Sequence, residues 1–94
     1  MKLSVKSQYA LESLTAIALS PGGGNVPVSV RDIARDRGIP ERFLSQILST
    51  LRQAGLLSSI RGAQGGYVLA KRPEEIRAGD VVRAVEGRLV PVDC

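Results

Sequence analysis

Only three residues, Gly38-Ile39-Pro40, separate two segments that each have an apolar and a polar side, and this short gap limits the fold more than any other feature of the chain. A connection so brief fixes two helices at a steep angle, which is the spacing of a helix-turn-helix. On the near side, Ser29 offers its hydroxyl to the free amides of a first turn, and Asp32 is positioned to return toward the cap. Val30, Ile33 and Ala34 give this predicted helix its apolar side, while Arg31, Asp32, Arg35 and Asp36 face away. Gly38 stands where a left-handed residue would close it.

On the far side the pattern predicts a helix from Glu41 to Ala54. At ~100° per residue, Phe43, Leu44, Ile47, Leu48 and Leu51 make one apolar face. Arg42, Ser45, Gln46, Ser49 and Gln53 fall within a ~100° arc opposite, and that arc holds no carboxylate. Solvent-facing helix surfaces usually mix in Asp or Glu. An arginine, two hydroxyls and two amides can instead donate to phosphates, or to base edges in a groove wide enough to admit a helix. Glu41 lies in the first turn, where helix-end electrostatics favour it.

The flanking segments complete the order. Ser4 to Ser20 predicts a first helix with Ser4 as its cap, ended by Pro21-Gly22-Gly23-Gly24. Val26-Pro27-Val28 is a short edge strand or extended chain, since proline cannot donate to a ladder. After Gly55, Leu56–Ile60 and Tyr67–Ala70 are candidate strands around the glycine-rich tip Arg61-Gly62-Ala63-Gln64-Gly65-Gly66. No Gly-Lys-Ser/Thr follows that tip, so it is not a nucleotide-phosphate cradle. Its glycines let the backbone approach a partner closely, and Arg61 and Gln64 are its side chains with reach. Lys71–Glu75 is a turn, and Asp80–Glu86 a short helix with Val81, Val82 and Val85 inward and Gly87 closing it. Helix, helix, turn, helix, hairpin, helix is a mainly α fold with a β-hairpin wing, a winged helix-turn-helix. Residues 1–87 form that domain; 88–94 begin a linker or loop.

Charge agrees with this order. Of the +4 net charge, Arg31 to Arg72 carry all the excess: eight basic residues stand against three acidic ones. A positive field gathered in the helix-turn-helix and hairpin suits a polyanion, although a basic soluble surface is the plainer alternative. The absence of histidine removes the commonest neutral-pH base, the Ser-His and Cys-His pairs and imidazole metal sites, and no paired carboxylates replace them. No catalytic set emerges, so an enzyme is not expected. No apolar run approaches ~18 residues and no signal-peptide core follows Met1, so a cytoplasmic protein without membrane contact is expected. A winged helix used for protein contacts is the competing class, and it would expose apolar residues on the third helix.

These residues resemble the IscR/NsrR/CymR family of bacterial winged-helix transcriptional regulators, which control iron-sulfur assembly, nitrosative stress and cysteine metabolism. The likeness runs through Met1-Lys2-Leu3-Ser4 with Tyr9-Ala10, Asp32-Ile33-Ala34, Gly38-Ile39, Phe43-Leu44 with Gln46, and Leu51-Arg52 with Ala54-Gly55-Leu56. Its most specific part is Ser59-Ile60-Arg61-Gly62 with Gly65-Gly66-Tyr67-Val68-Leu69, followed by Gly79 to Gly87. The resemblance implies a homodimeric repressor or activator on a pseudo-palindromic operator of double-stranded DNA. It implies a third helix in the major groove, with Arg42, Phe43 and Gln46 as readers, and a wing carrying Arg61 in the minor groove. Phe43 also lies on the apolar face, where packing competes with reading, and many relatives carry tyrosine there. Ser45 stands where the iron-sulfur regulators often have glutamate, which suggests a different or more permissive operator. The full candidate DNA-binding set is Arg42, Phe43, Ser45, Gln46, Ser49 and Gln53 on the helix and Ser59, Arg61 and Gln64 on the hairpin.

Cys94, the single cysteine, matches in the resemblance the first of three cysteines that ligate a 2Fe-2S cluster in a loop before a long dimerisation helix. One thiolate per subunit falls short of the four protein ligands a cluster takes, so no cofactor is expected in these 94 residues. A lone reactive or incidental thiol is the alternative role, as is regulation of cysteine metabolism without a cluster; with the cluster role, residues 88–94 begin a cluster-binding loop that leads to the dimerisation helix. Leu89-Val90-Pro91-Val92 has no following element to receive it, and the chain is expected to be the front part of a longer, dimeric regulator.

Overall fold

The computed structural model describes residues 4–86, and Gly87 and the 88–94 segment with Cys94 lie outside the described residues. Helix α1 spans Val5–Leu19, and the Ser4 hydroxyl accepts the Ser7 amide at 3.1 Å as its cap. Helix α2 spans Val30–Arg37. Its Ser29 cap accepts the Asp32 amide at 3.1 Å, and Gly38 closes it at φ 68°. The Asp32 carboxylate does not complete the expected reciprocal bond; it turns outward to Arg35 at 3.1 Å, because an exposed guanidinium one turn on competes for it.

Helix α3 spans Glu41–Gln53, with Ala54 as its closing residue and Gly55 at φ 85°. Leu44, Ile47, Leu48 and Leu51 are fully buried, as the apolar face requires. They meet Ala10, Leu14 and Ile17 of α1, Ile33 of α2, and Val81 and Val85 from the last helix in one core. The last helix, α4, spans Ala78–Glu86 and begins two residues before the expected Asp80, since the Arg77 carbonyl accepts the Asp80 and Val81 amides. Val82 is only half-buried. Within the expected turn, Pro73–Glu75 winds into a single 3-10 turn whose Glu75 carboxylate accepts from the Arg72 amide at 3.2 Å.

Strands β1 (Leu57–Ile60) and β2 (Gly66–Leu69) pair antiparallel, with Leu57 opposite Leu69 and Ser59 opposite Tyr67. The extended chain before α2 joins them. Val28 and Tyr67 exchange both main-chain bonds, at 3.0 and 2.9 Å, and Leu69 donates to the Gly24 carbonyl at 2.9 Å. The hairpin therefore has a third, irregular neighbour. Two buried hydroxyls are satisfied inside the helical layer: Ser13 donates to the Tyr9 carbonyl at 2.7 Å, and Ser7 to Glu86 at 2.6 Å.

Candidate nucleic-acid interface

The turn Gly38-Ile39-Pro40 carries the site. Ile39 is buried and its amide donates to Ala34 at 3.0 Å, while the Pro40 carbonyl accepts the Leu44 amide at 2.9 Å. Both ends of the turn are thus bonded into the helices they join, which fixes α3 against α2. With one face of α3 sealed in the core, the opposite arc lies at the surface. Arg42, Ser45, Gln46 and Gln53 are exposed, and Ser49 is half-buried. Thr50, beside the arc, donates its hydroxyl back to the Gln46 carbonyl at 3.0 Å and so turns away from a partner.

Phe43 is half-buried, its ring edge-on to Tyr9 of α1 with centroids 5.6 Å apart. The ring thus packs against α1 while part of it stays accessible. Among the described residues the exposed large apolar side chains are Val5, Leu19, Val26 and Ile60. None lies on α3, where a protein-docking helix would carry them.

The wing puts Ser59, Arg61 and Gln64 on its exposed surface. The tip is closed by the Gly65 amide donating to the Gly62 carbonyl at 3.0 Å. Two glycines at its neck have no room for a side chain. A Cβ on Gly65 would stand 2.1 Å from the Ile60 carbonyl oxygen, and one on Gly66 2.4 Å from that of Val28. The neck is thus pressed between its own opposite strand and the entry to α2. Sequence reasoning saw these glycines as freedom for a partner to approach. Their packing shows a second use, in holding the wing against the helix-turn-helix. The buried Gly24 under Leu69 belongs to the same joint, and its place in a three-glycine run hid it.

Charge pairing sorts the cations. Arg35 is held by Asp32 and Asp36, Arg72 by Glu75, and Arg83 by Asp80. Arg42 of α3 and Arg61 of the wing are in none of these ion pairs, so their charge is available to an outside anion.

Comparison with known proteins meets this geometry at every element. The sequence pattern of Rrf2, described as an iron-dependent transcriptional regulator, matches residues 3–94. The chain belongs to that family. It is 45% identical over 93 residues to the HTH-type transcriptional regulator CymR of Bacillus subtilis, covering 99% of this chain and 66% of that protein. The solved structure of the B. subtilis CymR, the global cysteine regulator, superposes with a TM-score of 0.85 at 44% identity, over all of this chain and 71% of that one. The IscR of T. potens does so with a TM-score of 0.83 at 41% identity, over all of this chain and 66% of that one. The chain spans about two thirds of the length of the CymR relative and 55% of an IscR from Aliivibrio salmonicida. The fold is therefore that of the family's winged helix-turn-helix.

Iron is part of the family description, so the donor set matters. Among the described residues no group of three or more His, Cys, Asp or Glu side chains could hold a metal ion. The whole sequence offers one cysteine and no histidine. That set does not fit an iron-sulfur cluster, which takes four protein ligands. No helix among the described residues is long and apolar enough to cross a membrane.

Proposed function

We infer that residues 1–87 are the DNA-reading domain of a sequence-specific transcriptional regulator, with 88–94 the start of a linker or loop. The regulator acts as a homodimer on a pseudo-palindromic operator when whole. The observation that carries this is the exposed, carboxylate-free arc on α3, held outward by four fully buried residues on the opposite side. Gln46 and Arg42 read base edges in the major groove; Ser45, Ser49 and Gln53 contact phosphates or bases beside them. Arg61, with Ser59 and Gln64, follows the adjacent minor groove or its rim. Phe43 supports the helix from below. In the whole protein the effector is iron-sulfur, nitric oxide or redox status; a cluster there needs protein ligands in addition to Cys94, whereas a single thiol answers oxidants or nitric oxide by itself.

A second reading rests on the similarity to the cysteine regulator of B. subtilis: control of cysteine metabolism without a cluster. The two differ only in the effector and share the DNA interface.

Binding selection from a random duplex library, followed by competition with single-base variants at fixed salt, tests the reading. Gln46→Ala should relax preference at one position per half-site and cost about 1–3 kcal/mol there. Arg61→Ala should weaken binding more evenly, or lose a preference for narrow A/T grooves. An unchanged base profile in Gln46→Ala would remove Gln46 from the readers. Recovery of no preferred sequence by the unmodified protein would overturn sequence-specific regulation itself.

A further inference from the structure

Arg31 stands outside every recognition argument made from α3 and the wing, yet three observations converge on it. First, its guanidinium is exposed and in no ion pair among the described residues, whereas Arg35, the other arginine on that outer face, is occupied by Asp32 at 3.1 Å and Asp36 at 3.5 Å. The carboxylate next to Arg31 in sequence is thereby neutralised by a different residue, and the charge of Arg31 stays uncancelled. Second, the entry to α2 is bonded to the wing through the main chain. Val28 pairs with Tyr67, and the space above Gly66 is filled by the Val28 carbonyl and the Ser29 amide. Gly65 in turn lies against the backbone of Ile60 and Arg61. The glycine neck thus has the backbone of Val28 and Ser29, which leads into the first turn of α2, against Gly66, and that of Ile60 and Arg61 against Gly65. Third, the Asp32, Arg35 and Asp36 edge of α2 lines a groove with Pro21, Val26 and Pro27 on the side of the incoming loop. At ~100° per residue Arg31 lies on the other edge of the exposed face, toward buried Ala34.

We propose that Arg31 is a DNA phosphate contact, a sequence-independent anchor at the first turn of the helix whose entry is joined to the wing by the Val28–Tyr67 pair. This rests on the DNA-binding function proposed above and adds a residue and a role to it. The first helix of a helix-turn-helix crosses the nucleic-acid backbone, and a phosphate oxygen is the ligand that an exposed, uncancelled guanidinium there would take. The contact carries no base information.

Salt titration of binding to a labelled mixed-sequence duplex of roughly 30 base pairs separates this from its alternatives, because each phosphate contact contributes about 0.9 to the slope of log affinity against log salt. Arg31→Ala should lower the slope by about one per protomer, leave the base profile of a selected site unchanged, and be rescued by Arg31→Lys. Arg35→Ala, which removes an equally exposed but paired arginine, should leave the slope as it was. Circular dichroism melts confirm that each variant is folded. An unchanged slope in Arg31→Ala while the unmodified protein binds with normal salt dependence overturns the anchor and leaves the DNA-binding function intact. An equal loss in Arg35→Ala also overturns it, by making general surface charge the cause. Absence of duplex binding by the unmodified protein defeats the underlying function, and the anchor with it.

Discussion

Helix α3 and the wing present their polar side chains by different means. In α3 the means is apolar packing: Leu44, Ile47, Leu48 and Leu51 are sealed in the core, and the polar arc faces outward because the helical period leaves it nowhere else. The wing has little core of its own. Leu57 is its one fully buried strand residue, β2 is only half-buried throughout, and Ile60 is largely exposed. Leu57, Tyr67 and Leu69 pack on the shared core, and main-chain bonds to Val28 and Gly24, with glycines that admit no side chain, complete the wing's position. Recognition by the helix is therefore tied to global stability, whereas the wing's position depends on a joint that can fail while the core stays folded.

The largest expected effect lies in the packed region. Leu48→Ala removes a fully buried side chain from the centre of the core and should lower unfolding stability by about 2–5 kcal/mol in urea or thermal melts. A loss below about 1 kcal/mol would mean that the site collapses around the cavity and that α3 is not held mainly by packing.

Gly66→Ala attacks the joint. Its new Cβ would meet the backbone of Val28 and Ser29, atoms that cannot rotate aside, so the strand pairing must give way. An overpacking cost of about 1–3 kcal/mol is expected, together with weaker duplex binding and a base profile at the α3 positions that does not change. Unaltered stability and affinity would show that the Val28–Tyr67 joint does not set the wing's position.

The smallest effect is expected outside both regions and serves to calibrate them. Glu86 accepts hydrogen bonds from the Ser4 and Ser7 hydroxyls, tying the end of α4 to the start of α1. Those bonds, Ser4's first, together with nearby Lys6, favour the ionised carboxylate and hold its pKa below the ordinary value. A folded pKa below the unfolded one gives stability that is present above the unfolded value and is lost as pH falls through the folded one. Glu86→Gln should thus be slightly less stable near neutral pH and should converge with the unmodified protein as pH falls below the ordinary carboxylate range, in melts across that range. DNA binding at neutral pH should stay the same, and a change there would mean that α4 influences α3 or the wing.

Much of the candidate site was legible in the amino-acid sequence. The polar arc, its order relative to the turn, and the position of Arg61 and Gln64 on a glycine-rich tip all follow from helical periodicity and turn chemistry, which act within a few residues. Phe43 was legible only as an ambiguity, because a residue at the margin of an apolar face is decided by what stands opposite. Tyr9, far earlier in the chain, supplied its packing partner.

The same division holds for the whole protein. Local physics in the sequence determined the element order, the caps at Ser4 and Ser29, the left-handed stop at Gly38 and the burial of one side of α3. Tertiary structure alone decided which long-range partners met. It brought Val28 to Tyr67, Gly24 to Leu69 and Glu86 to the first turn of α1. The physical reason is that caps and periods involve neighbours a turn apart, whereas a main-chain donor or a carboxylate with several partners in reach takes the one that packing of the entire chain brings to it.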